Sequence, residues 1–148
     1  MYVGKAIHLV HNLDNSYGGP ARSIPELMYA MKAFGWGSEA VSLRSTRSER
    51  NQVIEKYHLP WKTKNAQVHP YLAFNVDLTR TVAFGKPDLV HYHNIWNYVP
   101  IAAWRAGKSV GCPVVMSPRG TLFPWNLEKG RGKKKLYLKL FGDLLFQG

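Results

Sequence analysis

A parallel sheet with helices on both faces is the fold class this sequence predicts, and three observations predict it. Short, mostly apolar runs recur along the 148 residues, at Lys5–His11, Asp88–His93 and Pro113–Ser117. Each is too brief for a lone helix and suits a strand buried on both faces. Segments of helical spacing alternate with these runs, the pattern of a parallel α/β sheet. The first run also passes into its helix through a glycine pair, Gly18-Gly19.

Taken in order, Lys5–His11 is the first strand, and Asn12 to Gly19 is a cluster of turn formers. Pro20 stands where a first helical turn tolerates it. Ile24, Leu27, Met28 and Met31 then fall on one helical face, and Gly35 and Gly37 stop the run. Glu39–Leu43 reads as a second short strand. Arg44 to Lys64 is polar and without a period, so it is expected to be a long excursion. Gln67–Leu72 reads as a strand and Asn75–Phe84 as a helix, before Gly85-Lys86-Pro87 punctuates the chain ahead of the Asp88–His93 strand. Pro100–Lys108 reads as a helix, Pro113–Ser117 as a buried strand, and Pro118 through Asn126 as a loop. From Lys133 onward, Tyr137, Leu140, Phe141 and Leu144 predict a final amphipathic helix. No internal repeat or low-complexity linker is present, so residues 1–148 are expected to form a single domain.

Composition narrows the function classes. With 45% hydrophobic residues the chain buries a core. One cysteine, Cys112, allows no disulfide within the chain, and no signal-like segment precedes the first strand. A reducing, cytoplasmic setting is the expectation. No apolar stretch approaches the roughly 20 residues a membrane span needs. The net charge of +11 attracts polyanions, whether nucleic acid, anionic lipid or phosphate ligands, although most single lysines are expected on solvated faces.

In an open parallel sheet, ligands bind at the carboxyl ends of the strands, which singles out the loops that begin at His11, His93 and Ser117. Gly18 and Gly19 let the backbone approach a ligand without a Cβ, and the helix beginning near Pro20 turns free N–H groups toward an anion. A tight turn is the plainer reading of a glycine pair alone. The pair matches neither the dinucleotide fingerprint nor the phosphate-loop motif. His91 and His93 are two apart on a strand and share a face. His91 reads as a core histidine; His93, followed by Asn94, is better placed for a substrate hydroxyl or phosphate. A metal site would need a third ligand, and His8, His11, His58 and His69 show no recognisable spacing for one. The Asp-x-Asp triplet of metal-dependent transferases is absent too, so no metal or other cofactor is expected. Arg119, in Ser117-Pro-Arg-Gly120, is a fixed cation with a planar fork suited to phosphate or carboxylate; pairing with an acid is the alternative.

Together, Gly18-Gly-Pro-Ala-Arg-Ser23, Asp88-Leu-Val-His-Tyr-His-Asn-Ile-Trp96 and Ser117-Pro-Arg-Gly-Thr-Leu-Phe-Pro-Trp125 resemble the N-terminal domain of family 4 retaining glycosyltransferases in order and spacing. The resemblance implies a Rossmann-like α/β domain, one of two that face a cleft in the arrangement called GT-B. It implies transfer of a sugar from a nucleotide-sugar donor to a glycan or lipid-linked acceptor with retention. It places Gly18 and Gly19 against the donor diphosphate, Arg119 on the leaving phosphate and His93 as the catalytic residue at the reacting centre. Asn94, Trp96 and Trp125 fall on the acceptor side, with core packing the alternative for both tryptophans. The family's nucleotide-sugar grip belongs to a C-terminal domain that this sequence does not contain. The chain is therefore expected to be an incomplete, acceptor-side half, inactive alone.

Two rival classes remain. A non-enzymatic basic module fits the run Lys129-Gly-Arg-Gly-Lys-Lys-Lys135, with anionic membrane favoured over nucleic acid, for which no recognition signature is present. Arg131, Lys133, Lys134 and Lys135, leading into an amphipathic helix, are the residues expected at the inner membrane face. A partner module whose other half is a separate chain is the third reading.

Overall fold

The computed structural model describes residues 2–44, 51–67 and 72–146. Five strands form one sheet, all of whose pairings are parallel: β1 (Gly4–Val10), β2 (Trp36–Arg44), β3 (Trp61–Asn65), β4 (Leu89–His93) and β5 (Val114–Ser117). Their order is β3-β2-β1-β4-β5. Among the described residues six α-helices accompany them, besides a 3-10 turn at Asn15–Tyr17: α1 (Gly19–Ala33), α2 (Gln52–Tyr57), α3 (Asp77–Phe84), α4 (Val99–Val110), α5 (Pro124–Glu128) and α6 (Arg131–Phe146). The Rossmann-like α/β class is the one expected from the sequence.

Period-two alternation divides the core between the two sheet faces. Ile7, Leu9, Val90 and Tyr92 pack with Leu78, Val82, Val99, Ala102 and Ala106 of α3 and α4. On the other face, Val10 and Ala40 pack with Ile24 and Met28 of α1 and Ile54 of α2. Burial of α1 on this face keeps it helical through Pro25, which removes one helical hydrogen bond. Where α4 meets β5, only glycine fits: a Cβ at Gly107 would lie 2.3 Å from Val114 Cγ2 and 3.1 Å from the Cys112 carbonyl. Gly107→Ala is therefore expected to lower the urea midpoint through about 1–3 kcal/mol of overpacking. Gly142→Ala, whose Cβ meets nothing nearer than Leu138 Cβ at 3.9 Å, is expected to raise it by up to ~1 kcal/mol of helix propensity.

Five segments differ from the sequence reading. Pro113–Ser117, read as a buried strand, forms the edge strand β5, none of whose residues is buried and whose Val115 is 44% exposed. The stretch read as an excursion holds α2 and β3. Asn51 caps α2 by accepting from Val53 N and Ile54 N, and the helix is too short to show a period. β3 (WKTKN) is an edge strand whose lysines replace the apolar alternation that strand detection relies on. Gln67 is not in a strand: its N–H donates to the Phe74 carbonyl and its Oε1 accepts from Val76 N, closing a loop. Most of the predicted Gln67–Leu72 strand, like residues 45–50, lies outside the described residues. The loop Pro118–Asn126 is cut by α5, a single turn begun by Pro124. On α6 the predicted Tyr137, Phe141 and Leu144 are half-buried, whereas Leu140 is 63% exposed, because the inward stripe is centred on Lys134, Leu138, Phe141 and Leu145, to one side of the predicted face.

Candidate functional site

The strand order reverses between β1 and β4: from β1 the chain builds outward to β2 and β3, then returns to add β4 and β5 on the other side. Such a reversal opens a crevice beyond the carboxyl ends of the two strands. The loops after His11, His93 and Ser117 start at this edge, as the sequence predicted, and Asn94 N donating to the Ser117 carbonyl at 3.1 Å ties two of them together. The first loop is braced by buried Asn51, whose Nδ2 donates to the Leu13 and Ala21 carbonyls, each at 2.6 Å. His11 stacks on Tyr17 with ring centroids 5.7 Å apart, and its Nδ1 lies 3.4 Å from Asn97 Nδ2 in the second loop.

Gly18 has φ +86° and ψ −146°, a conformation essentially reserved for glycine. A Cβ at Gly18 or at Gly19 would meet nothing within 4 Å. Neither glycine is packed against the protein, so the helix start of α1 stands open to the crevice. No side chain caps it; Pro20 carries no N–H and Ala21 N donates to the Gly18 carbonyl at 3.1 Å, so of the first three helical positions Gly19 is the one that offers an N–H to an anion.

Behind this opening lie three histidines. Parallel register sets His8 of β1 opposite His91 of β4, and period two puts His93 on the same face. The candidate ligand nitrogens of His8, His91 and His93 all lie within 4.8 Å of one another. The third histidine that sequence spacing did not reveal is thus supplied by the neighbouring strand. His91 Nε2 lies 2.7 Å from Ser117 Oγ, which satisfies it as expected of a core histidine. His8 Nδ1 lies 3.4 Å from His93 Nε2. Burial, then the charges of His91 and Arg119, lowers His8 to about 3; burial, then His91, His8 and Arg119, lowers His93 to about 2. Burial and then Arg119 lower His91 to about 4. All three rings are neutral at pH 7.

Arg119 closes the arrangement. Its Nε donates to His93 Nδ1 at 3.2 Å and its Nη1 donates to Ser23 Oγ on α1 at 3.0 Å. The guanidinium therefore spans from the β5 loop to the first turns of α1, across the line of His93. Its backbone is held at φ +51°, and Asn94 at φ +80°; left-handed non-glycine residues concentrate at functional sites. No carboxylate partners Arg119 among the described residues. Since arginine only donates, the Nδ1 of neutral His93 carries the lone pair and its Nε2 carries the proton. A cation at the cluster would need that Nε2 lone pair and would sit beside a guanidinium. In the structure Arg119, His93 and His8 are linked in series by these contacts.

The other predicted residues divide. Asn94 Oδ1 accepts from Ile95 N at 2.6 Å and Trp96 N at 3.4 Å, so this part of its side chain shapes its own turn. Trp96 is half-buried: Nε1 donates to the Thr121 carbonyl at 3.0 Å, and the residue lines two surface pockets. One is lined by Pro124, Leu127, Arg131, Lys134 and Lys135; the other is lined mainly by apolar side chains, among them Phe74, Tyr98 and Phe141. Trp125 on α5 is 67% exposed. Within the basic run, Lys134 turns inward to both Asn126 oxygens and lies 5.2 Å from the centre of the Trp96 ring, while Arg131, Lys133 and Lys135 are exposed. Among the described residues no helix is long and apolar enough to cross a membrane. Sequence reasoning missed His8 and Ser23 as members of the site. The parity of β1 against β4 was the available signal for His8, whereas the Ser23 contact depends on the path of the Arg119 loop.

Comparison with known proteins agrees with this architecture. None of the curated proteins matches the chain significantly. Among solved structures, a protein assigned as UDP-N-acetylglucosamine 2-epimerase from Listeria monocytogenes superposes with a TM-score of 0.63 at 17% identity, over 93% of this chain and 37% of that one. S. aureus MnaA in complex with UDP gives 0.60 at 14% identity, over 90% and 36% of the two chains. The UDP-GlcNAc 2-epimerase of Neisseria meningitidis bound to UDP-GlcNAc gives 0.52 at 16%, over 90% and 38%. At these identities the likeness is one of fold, and the chain spans little more than a third of each structure's length. The glycosyl transferase 4-like domain matches residues 18–146, from the first glycine of the pair to the end of α6. By that match the chain belongs to the glycosyl transferase 4-like domain family.

Proposed function

We propose that this chain forms the acceptor-side half of a GT-B glycosyltransferase that moves a sugar from a nucleotide-sugar donor to a glycan or lipid-linked acceptor with retention. The observation that carries the reading is Arg119, unpaired by any carboxylate among the described residues and held between His93 and Ser23 beside the open start of α1. A leaving nucleoside diphosphate develops negative charge at its bridging oxygen, and a preorganised guanidinium beside the Gly19 N–H and the positive end of α1 stabilises it without reorganising. Gly18 and Gly19 admit the diphosphate. His93 acts by holding Arg119: its ring is 1% exposed and both nitrogens are engaged, which favours positioning over direct attack. Trp96, with Asn94 shaping its loop, and Trp125 lie on the acceptor side. No metal or other cofactor takes part in this scheme. The fold's similarity to structures bound to UDP and UDP-GlcNAc supports a nucleotide-sugar donor.

Donor consumption by this chain alone, and by the chain joined to a nucleotide-sugar-binding C-terminal half, tests the proposal. Consumption only by the joined form, reduced by His93→Ala by no more than the loss of Arg119 itself, is the expected outcome. Failure of both forms across a broad donor panel contradicts it. Gly19→Ala, which projects a methyl into open space, is expected to leave the urea midpoint nearly unchanged while raising the donor KM about tenfold.

A second reading concerns location. Exposed Trp125, Leu136 and Leu140 lie near Arg131, Lys133 and Lys135 in the chain, which supports a peripheral contact with the anionic inner face of a membrane. Binding to anionic but not neutral vesicles is the corresponding test.

A further inference from the structure

We propose that His8 is a positioning residue for the site: by accepting the Nε2 proton of His93, it fixes the tautomer whose Nδ1 holds Arg119. The inference deepens the functional reading above, but its first test needs only hydrogen-bond geometry.

Arginine has five N–H donors and no acceptor, so Arg119 Nε at 3.2 Å from His93 Nδ1 leaves that nitrogen unprotonated. A neutral imidazole then carries its proton on Nε2. The ring atom facing it, at 3.4 Å, is His8 Nδ1, which must accept. His8 in turn carries its proton on Nε2, and that atom is buried without a partner. The relay therefore has a direction, Arg119 to His93 to His8, and ends in an unsatisfied donor inside the sheet face. Buried polar atoms without partners are rare, and those that persist call for an explanation. Here the explanation is that an acceptor is needed at the Nδ1 position.

An apolar residue in place of His8 leaves the His93 Nε2–H without an acceptor. If His93 then moves its proton to Nδ1, two N–H groups confront each other and Arg119 loses its anchor. Parallel register makes His8 the strand neighbour of His91, and its ring lies nearly parallel to that of His93, at 15° with centroids 5.7 Å apart. The alignment is set by the sheet, before any ligand arrives. Second-sphere groups that set a histidine tautomer are well known to govern its function.

Nitrogen-15 spectra of the labelled protein at pH 7 read the tautomer directly. The expected result is His93 protonated at Nε2 and unprotonated at Nδ1, with His8 the same. His8→Leu is expected to mix the two His93 tautomers. His8→Asn, whose amide oxygen stands in the place of Nδ1, is expected to restore the single form. In the transferase assay, His8→Leu should lower kcat about tenfold with donor KM little changed, and His8→Asn should recover most of it. A wild-type His93 protonated at Nδ1, or a single unchanged His93 tautomer in His8→Leu, overturns the proposal. Should His8→Leu not fold, the wild-type tautomer and the His8→Asn spectrum decide the matter. If the tautomers follow the prediction while no form consumes any donor, the relay stands and the transferase reading fails.

Discussion

Acidification from pH 6.5 to 4.5 is expected to remove about 5 kcal/mol of stability, enough to unfold a domain of ordinary stability. His8 and His93 are the principal cause. Their folded values are depressed to about 3 and about 2, against about 6.5 in an unfolded chain. Below pH 6.5 the unfolded state takes up a proton at each histidine and the folded state does not. Stability is therefore intact above the unfolded value and falls as the pH drops toward the folded ones, by about 1.4 kcal/mol per unit for each group. His91, lowered to about 4, adds to the slope. Urea midpoints measured across this range check it, and His8→Leu is expected to remove a large share of the pH dependence. A flat profile means that the three rings are not buried as neutral species.

Arg119→Ala is expected to reduce transfer by the joined two-domain form about 10²–10³-fold, the range for removing one preorganised donor from a developing oxyanion. The fold should scarcely notice. The Arg119 side chain is exposed, and its backbone at φ +51° is one that a residue with a Cβ adopts at a cost of roughly 1–2 kcal/mol. Arg119→Gly relieves that cost, partly offset by the greater entropy of glycine in the unfolded chain. It is expected to match or exceed the wild-type urea midpoint while losing as much turnover as Arg119→Ala. Arg119→Lys keeps the charge but cannot reach His93 and Ser23 with a planar fork, so most of the loss should persist. Turnover and stability that fall together across these three variants would make Arg119 a structural residue.

The parts of the fold legible in the sequence were those whose signal is buried area. The Lys5–His11 and Asp88–His93 runs correspond to β1 and β4, which lie inside the sheet and are covered on both faces, whereas Pro113–Ser117 was legible as a strand but not as the edge strand β5 that it forms. β3 was illegible for the converse reason: at the sheet edge its lysines have water to point into. α2 rests on the single cap Asn51 and on tertiary contact with α1, neither of which produces a period. On α6, a one-position error in the stripe arose because Lys134 faces inward over Trp96, where a hydropathy reading puts the charge outside. The site showed the same division. Loop positions at strand ends follow from topology, so Gly18, Gly19, His93 and Arg119 were legible. His8 was not, because its role depends on which strand lies beside β1, information that register alone supplies.

The central claim is that a nucleotide-sugar donor engages the switch point between β1 and β4, and a nuclear magnetic resonance titration of the labelled chain with nucleoside diphosphates at two salt concentrations tests it most directly. Shifts concentrated at Gly18, Gly19, Ser23 and the Arg119 guanidinium, largely retained at the higher salt, are the expected result. Shifts confined to Lys129–Lys135, collapsing as salt rises, would contradict it and identify the chain as a basic polyanion-binding module.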